Sequence, residues 1–117
     1  MVTLYGYKKC STCSKAEKAL SSMGIEYKYI DITEKPPSAT TLKKMIKQAG
    51  IELKKWFNTS GVAYREQNMK ERLPTLGQSE AITLLASNGK LIKRPIVTDG
   101  ETTTVGFKEA DFKETWG

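Results

Sequence analysis

The sequence carries two cysteines, Cys10 and Cys13, and no histidine. Their Cys-x-x-Cys spacing falls between a short apolar run, Val2 to Gly6, and a helical pattern running from Lys15 to Met23. A cysteine at such a junction lies at or just before a first helical turn, where backbone N–H groups lack partners within the helix and carry partial positive charge. Negative charge on sulfur is favoured there, which makes Cys10 a candidate nucleophilic thiolate. Cys13 follows one turn later and reaches the same point in space. It is either a resolving thiol that closes a disulfide with Cys10 or a small residue of the helix's inner face, in phase with Ala16 and Leu20. The lack of histidine removes Cys-His pairs, Ser-His-Asp triads and His-ligated metals. A zinc site built on two cysteines would need carboxylates or a second chain, so no bound metal or organic cofactor is expected. Cationic support for Cys10 must come from lysine or arginine, with Lys8, Lys9 and Arg94 the candidates.

A chain of 117 residues is long enough to bury one core without staples, and one domain spanning 1–117 is expected. Hydrophobic content of 38% and charged content of 27% are ordinary for a globular protein. No apolar run approaches the length of a membrane span. Met1 leads straight into a strand-like stretch without a basic region, apolar segment and cleavage site, so a cytoplasmic location is expected. In a reducing compartment a lone Cys-x-x-Cys reads as redox-active or metal-binding rather than as a staple. The net charge of +6 favours anionic small molecules, acidic protein surfaces or nucleic acid without choosing among them. Lys43, Lys44, Lys47, Lys54 and Lys55 read as a solvated helix face, the alternative being a patch for an acidic partner. The aromatic-basic interleaving that marks single-strand nucleic-acid binders is missing, so direct nucleic-acid binding is not expected.

The elements around the cysteines follow from periodicity. Val2–Gly6 is the first strand, and helix one places Cys13, Ala16, Leu20 and Met23 on one face. Gly24 is placed to end that helix in a left-handed conformation. Ile25–Ile32, with its tyrosines and β-branched residues, suits a second strand. This is a β-α-β unit, implying a parallel pair with a right-handed crossover. Pro36-Pro37-Ser38 stops the strand and starts a helix with Leu42, Met45, Ile46 and Ala49 inward. A short turn through Leu53, Trp56 and Phe57, a loop at Asn58–Gly61, a short helix over Tyr64–Glu71 and another over Glu80–Ser87 complete a helical block at about 38–87. Ile96–Thr98 and Thr102–Val105 read as a hairpin around Asp99-Gly100, followed by a helix at about Lys108–Thr115. A β-α-β half followed by a β-β-α half is the α/β thioredoxin-like arrangement, a mixed four-stranded sheet, here with a helical insertion. Pro95 is the candidate cis-proline beside the dithiol, because an X-Pro bond carries only a small trans preference.

These features together resemble one family across essentially the whole chain. The Cys10–Cys13 strand–helix junction, the helical insertion, the Asn58–Glu66 segment and the tripeptide Arg94-Pro95-Ile96 look like the arsenate reductase/Spx family, Spx/MgsR regulators included. Glutaredoxin-linked arsenate reductases of this family use one cysteine as nucleophile and hold the oxyanion with arginines. By resemblance those roles fall on Cys10 and Arg94, with Cys13 or an external thiol resolving. Lys9, Ser11, Thr12, Asn58, Thr59, Ser60 and Pro95 are the implied substrate-binding residues. Where the family enzymes carry two further arginines, this chain has Asn58-Thr59-Ser60 and Val105-Gly106-Phe107, the nearest basic residues being Arg65 and Lys108. The implied electron donors are glutathione with glutaredoxin, or thioredoxin, and the implied substrate is a small oxyanion or thiol. The Spx-type branch implies a different outcome, a redox-sensing regulator that binds the RNA polymerase α subunit. Those regulators usually carry a basic C-terminal extension, whereas this sequence stops at Thr115-Trp116-Gly117, which favours the oxidoreductase expectation.

Overall fold

The computed structural model describes residues 2–59 and 61–117. Strand β1 (Val2–Gly6) leads into helix α1 (Ser11–Ser22) and strand β2 (Tyr27–Asp31). Helices α2 (Ala39–Ala49), α3 (Val62–Glu66), α4 (Met69–Arg72) and α5 (Gln78–Ser87) follow. The hairpin β3 (Ile96–Thr98) and β4 (Thr103–Val105) precedes the last helix, α6 (Glu109–Trp116). The sheet order is β2-β1-β3-β4, with β1 and β2 parallel and the other two pairings antiparallel. The chain thus has the thioredoxin-like α/β architecture, with α2 to α5 inserted between its halves.

Alternation along the strands sorts side chains into two layers. Leu4 and its partner Val97 face Ala16 and Leu20 of α1 and Phe112 of α6. Tyr5 and its partner Ile96 face the opposite way, into the core built from α2, α5 and the segments around Trp56, Phe57, Leu91 and Ile92. Burying a side chain such as Leu20 completely is worth roughly 1.5–3 kcal/mol, so the two layers fix the sheet between helices on both faces.

Helix ends are set by local chemistry. Ser38 caps α2, its hydroxyl accepting from Thr41 N–H at 3.2 Å, and Gly50 closes that helix with φ 66°. Gly24, φ 72°, ends α1, with Ile25 N–H donating to the Leu20 carbonyl at 2.9 Å. Apart from shifts of one or two residues at element ends, such as β2 at Tyr27–Asp31 within the expected Ile25–Ile32, two helical spans differ from the sequence expectation. Helix α1 begins at Ser11, a full turn before Lys15, because Cys10 supplies the cap. The expected helix over Tyr64–Glu71 is two helices, broken at Asn68 with φ 53°. Tyr64 and Met69 are both buried, yet five residues of unbroken helix would point them about 140° apart. The left-handed residue turns Met69 back to the core, and asparagine tolerates that conformation. None of the helices, among the described residues, is long and apolar enough to cross a membrane.

Candidate active site

The site forms where β1 runs out. Tyr7, Lys8 and Lys9 make a turn closed by Cys10 N–H donating to the Tyr7 carbonyl at 3.0 Å. Cys10 then adopts extended backbone, φ −93° and ψ 110°, and is the N-cap of α1. Its Sγ accepts from Cys13 N–H at 3.3 Å. Sulfur therefore stands where a hydroxyl or carboxylate usually caps a helix. No acidic residue lies in the first turn of α1 to compete for the positive end of the dipole. Cys10 is half-buried and Cys13 is fully buried, and both are free thiols.

The two sulfurs are unequal in chemistry as well as exposure. Burial pushes the Cys13 thiol up to about 12, and its hydrogen bond with Cys10 acts in the same direction. A backbone bond from Tyr7 and the charge of Arg94 oppose this without overcoming it. Cys13 thus keeps its proton at neutral pH while Cys10 sits at the helix terminus facing solvent.

Arg94 arrives through the sheet register. Tyr5 pairs with Ile96, so continuing the antiparallel register sets Pro95 across from Gly6 and Arg94 across from Tyr7. The Arg94–Pro95 bond is cis and Pro95 is buried. The guanidinium carbon stands 5.0 Å from the Tyr7 ring centroid, a cation–π distance. Arg94 Nη1 is buried and has no hydrogen-bond partner among the described residues. A buried guanidinium donor left unpaired is costly, and an anion arriving beside it would recover that cost.

The structure brings Cys10, Cys13, Arg94 and Pro95 to one end of the sheet. Lys9 is exposed in the preceding turn and Ser11 is exposed at the start of α1. Thr12 lines a groove of about 690 Å³ between α1 and α6, with Lys15, Lys18, Phe107 and Lys113 among its walls. Asn58 and Thr59 line a different hollow of about 420 Å³ together with Lys54, Lys55 and Lys93. Ser60, the remaining sequence candidate, lies outside the described residues. The 57–59 segment is tied to the strand leading to Arg94 by Asn58 N–H donating to the Leu91 carbonyl at 2.7 Å and Lys93 N–H to the Trp56 carbonyl at 2.8 Å.

Three residues of the site were not singled out from sequence. Tyr7 stacks beneath Arg94, and only the β1–β3 register reveals it. Lys93 runs against Gly106, where an added Cβ would meet Lys93 Cε at 3.1 Å and Nζ at 3.6 Å. A cation therefore reaches the end of the hairpin from the residue before Arg94. Tyr29 of β2 packs over Gly6 beside Cys13, for an added Cβ at Gly6 would meet Tyr29 Cε2 at 3.2 Å and Cys13 Cβ at 3.4 Å. Among the described residues no three His, Cys, Asp or Glu side chains cluster as a metal site would need.

Comparison with known proteins agrees with this geometry. The ArsC family model matches residues 5–115. The Bacillus subtilis protein YusI is 53% identical over 115 residues, covering 98% of each chain. The global transcriptional regulator Spx of Listeria monocytogenes is 27% identical over 113 residues, covering 97% of this chain and 85% of that protein. The structure of an arsenate reductase from Vibrio cholerae superposes with a TM-score of 0.85 at 27% identity, covering 97% of this chain and 95% of that one. The chain belongs to the ArsC family.

Proposed function

We propose that this ArsC-family protein is a thiol-dependent oxidoreductase in which Cys10 attacks a small electrophile and Cys13 or an external thiol resolves the adduct. The observation that carries the reading is the cap itself: the Cys10 sulfur accepts from Cys13 N–H at the start of α1, with the unpartnered Nη1 of Arg94 buried at the same end of the sheet. The electrophile is an oxyanion such as arsenate, a mixed disulfide or a peroxide. In each case Cys10 forms a bond to the electrophilic atom and displaces a leaving group (water from arsenate, a thiol from a mixed disulfide, water or an alcohol from a peroxide), and a second thiol then attacks the Cys10 sulfur or the bound atom. The two thiols give up two electrons and two protons as a disulfide forms, and the electrophile gains them. Arg94 and the helix terminus stabilise negative charge as it develops. Glutathione with glutaredoxin, or thioredoxin, would return the protein to its dithiol form. The likeness to an arsenate reductase structure supports the oxyanion within this set. The Spx relatives support a regulator that partners RNA polymerase only by similarity of chain, and nothing in the site's geometry requires it.

The test is turnover of arsenate, and separately of a glutathione mixed disulfide, with glutathione and glutaredoxin as reductant. Cys10→Ser abolishes turnover, and Arg94→Ala lowers kcat/KM about 100-fold or more, the usual loss for a buried donor aimed at developing charge. Wild-type activity unchanged in Cys10→Ser would remove the proposal. Survival of turnover in Cys13→Ser assigns resolution to the external thiol.

A further inference from the structure

Strand β2 carries two tyrosines on the face that meets α1, and their hydroxyls fare differently. Tyr27 donates to Glu17 Oε1 at 2.9 Å. Tyr29, two residues nearer the cysteines, has its hydroxyl buried with no partner among the described residues. The ring is seated there because residue 6 is glycine: a Cβ at Gly6 would stand 3.2 Å from Tyr29 Cε2, 3.4 Å from Cys13 Cβ and 2.9 Å from Leu4 Cδ2. Tyr29 and Cys13 thus close over the same bare stretch of β1. The carboxylates that bear on the phenol, Asp31 on its own strand and Glu17 on α1, both disfavour its ionisation. Burial and these charges raise the phenol to about 12, so it remains a donor throughout the neutral range. A buried, unpaired O–H whose ring packs over the same glycine as Cys13 is costly until an acceptor turns to it.

We propose that Tyr29 is a positioning residue for the dithiol, its hydroxyl donating a hydrogen bond to the Cys13 sulfur when that sulfur carries negative charge. The assignment rests on the Cys10–Cys13 chemistry of the preceding section. During reduction of the disulfide, an external thiolate attacks Cys10 Sγ and forms a mixed disulfide with it. The Cys10–Cys13 bond breaks, and its electron pair moves onto Cys13 Sγ. Tyr29 donates to that sulfur as the charge arrives, and a proton taken up from solvent then leaves Cys13 as the neutral thiol. The reverse direction uses the same bond when Cys13 gives up its proton to attack an adduct on Cys10. Arg94 is the cation that also lowers the cost of charge on Cys13, so the arginine and the phenol share the task.

The experiment compares wild type with Tyr29→Phe, which keeps the ring over Gly6 and removes only the donor. Both are oxidised with diamide to the Cys10–Cys13 disulfide, then reduced by excess dithiothreitol at pH 7 and followed by quenched alkylation and mass spectrometry. Tyr29→Phe is expected to slow reduction about 10- to 100-fold, the worth of a hydrogen bond to a charged group. Incorporation of 3-fluorotyrosine at position 29, which restores a donor, is expected to return the rate to within about threefold of wild type. In a Cys13→Ser background, alkylation of Cys10 by iodoacetamide is expected to be the same with and without Tyr29→Phe. Equal reduction rates for wild type and Tyr29→Phe overturn the role of Tyr29 while leaving the dithiol chemistry standing. Failure of wild type to form the disulfide at all overturns both. An equal slowing of Cys10 alkylation shows a general disturbance of the site and also overturns the assignment to Cys13.

Discussion

The inequality of the two cysteines predicts a measurable difference in reactivity. Cys13 is pushed from the usual 9.0 to about 12, with burial the largest cause. At pH 7 a thiol titrating at about 12 is ionised in about one molecule in 100,000, against about one in 100 for the ordinary value. The loss in thiolate is therefore about 1,000-fold. A more basic thiolate is intrinsically more nucleophilic, with a Brønsted slope of about 0.4–0.5, which returns roughly 15- to 30-fold over the same interval. The net expectation is a deceleration of about 30- to 60-fold from ionisation alone, before the closed surroundings of a side chain 1% exposed are counted. Iodoacetamide alkylation of Cys10→Ser checks this, because only Cys13 remains. That substitution removes the part of the shift owed to Cys10 but leaves the burial, so a slowing of roughly tenfold or more relative to the same chain in urea should persist. The rate should keep climbing as pH rises beyond about 10, where an ordinary cysteine levels off. A folded-to-unfolded rate ratio near one at pH 7, or a plateau by about pH 10, would refute the argument that burial controls Cys13.

The same groups govern alkaline stability. The folded-state values of Cys13 and Tyr29 lie above the usual 9.0 and 10.0, both at about 12. The unfolded chain therefore ionises first, so stability is fully present below about pH 9 and is lost as pH rises toward 12. Urea midpoints measured between pH 8 and 11 should fall more steeply in wild type than in Cys13→Ser combined with Tyr29→Phe, and parallel curves would contradict the assignment. Gly89 offers a test of packing remote from the sulfurs. A Cβ there would overlap the Ile32 carbonyl oxygen and stand 3.1 Å from Thr33 Cα. Both are backbone atoms of the segment leaving β2, and neither can turn aside. Gly89→Ala is expected to cost about 3 kcal/mol or more, read as a lowered urea midpoint. A loss under 1 kcal/mol would show that the turn before Leu91 does not press on that segment.

What could be read from residue order was whatever local chemistry controls. Ser38 and Gly50 bound α2 as their types require, and the Asp99-Gly100 turn joins β3 to β4 in the expected antiparallel register. The position of Cys10 before a helix was equally legible, because only the strand-to-helix switch in periodicity was needed. The start of α1 was less so, because a sulfur serving as cap is rare enough that the helical pattern reads only from Lys15, although Cys13 already shares its inner face. The break at Asn68 was not legible, because the apolar spacing of Tyr64 and Met69 makes sense only once the core they share is known. The site divides in the same way. Cys10 and Arg94 announce themselves by type and by neighbours in sequence. Tyr7 and Tyr29 are ordinary strand-flanking tyrosines until register places one under Arg94 and glycine at position 6 admits the other beside Cys13. Gly6 is the joint between the two kinds of information. As a letter it only ended a strand. As a missing Cβ it lets a phenol, a buried thiol and Leu4 converge on one point of β1. A side chain there would separate Tyr29 from Cys13 without touching either sulfur's place in the sequence, so the dithiol motif and the environment that makes its two cysteines unequal are encoded separately.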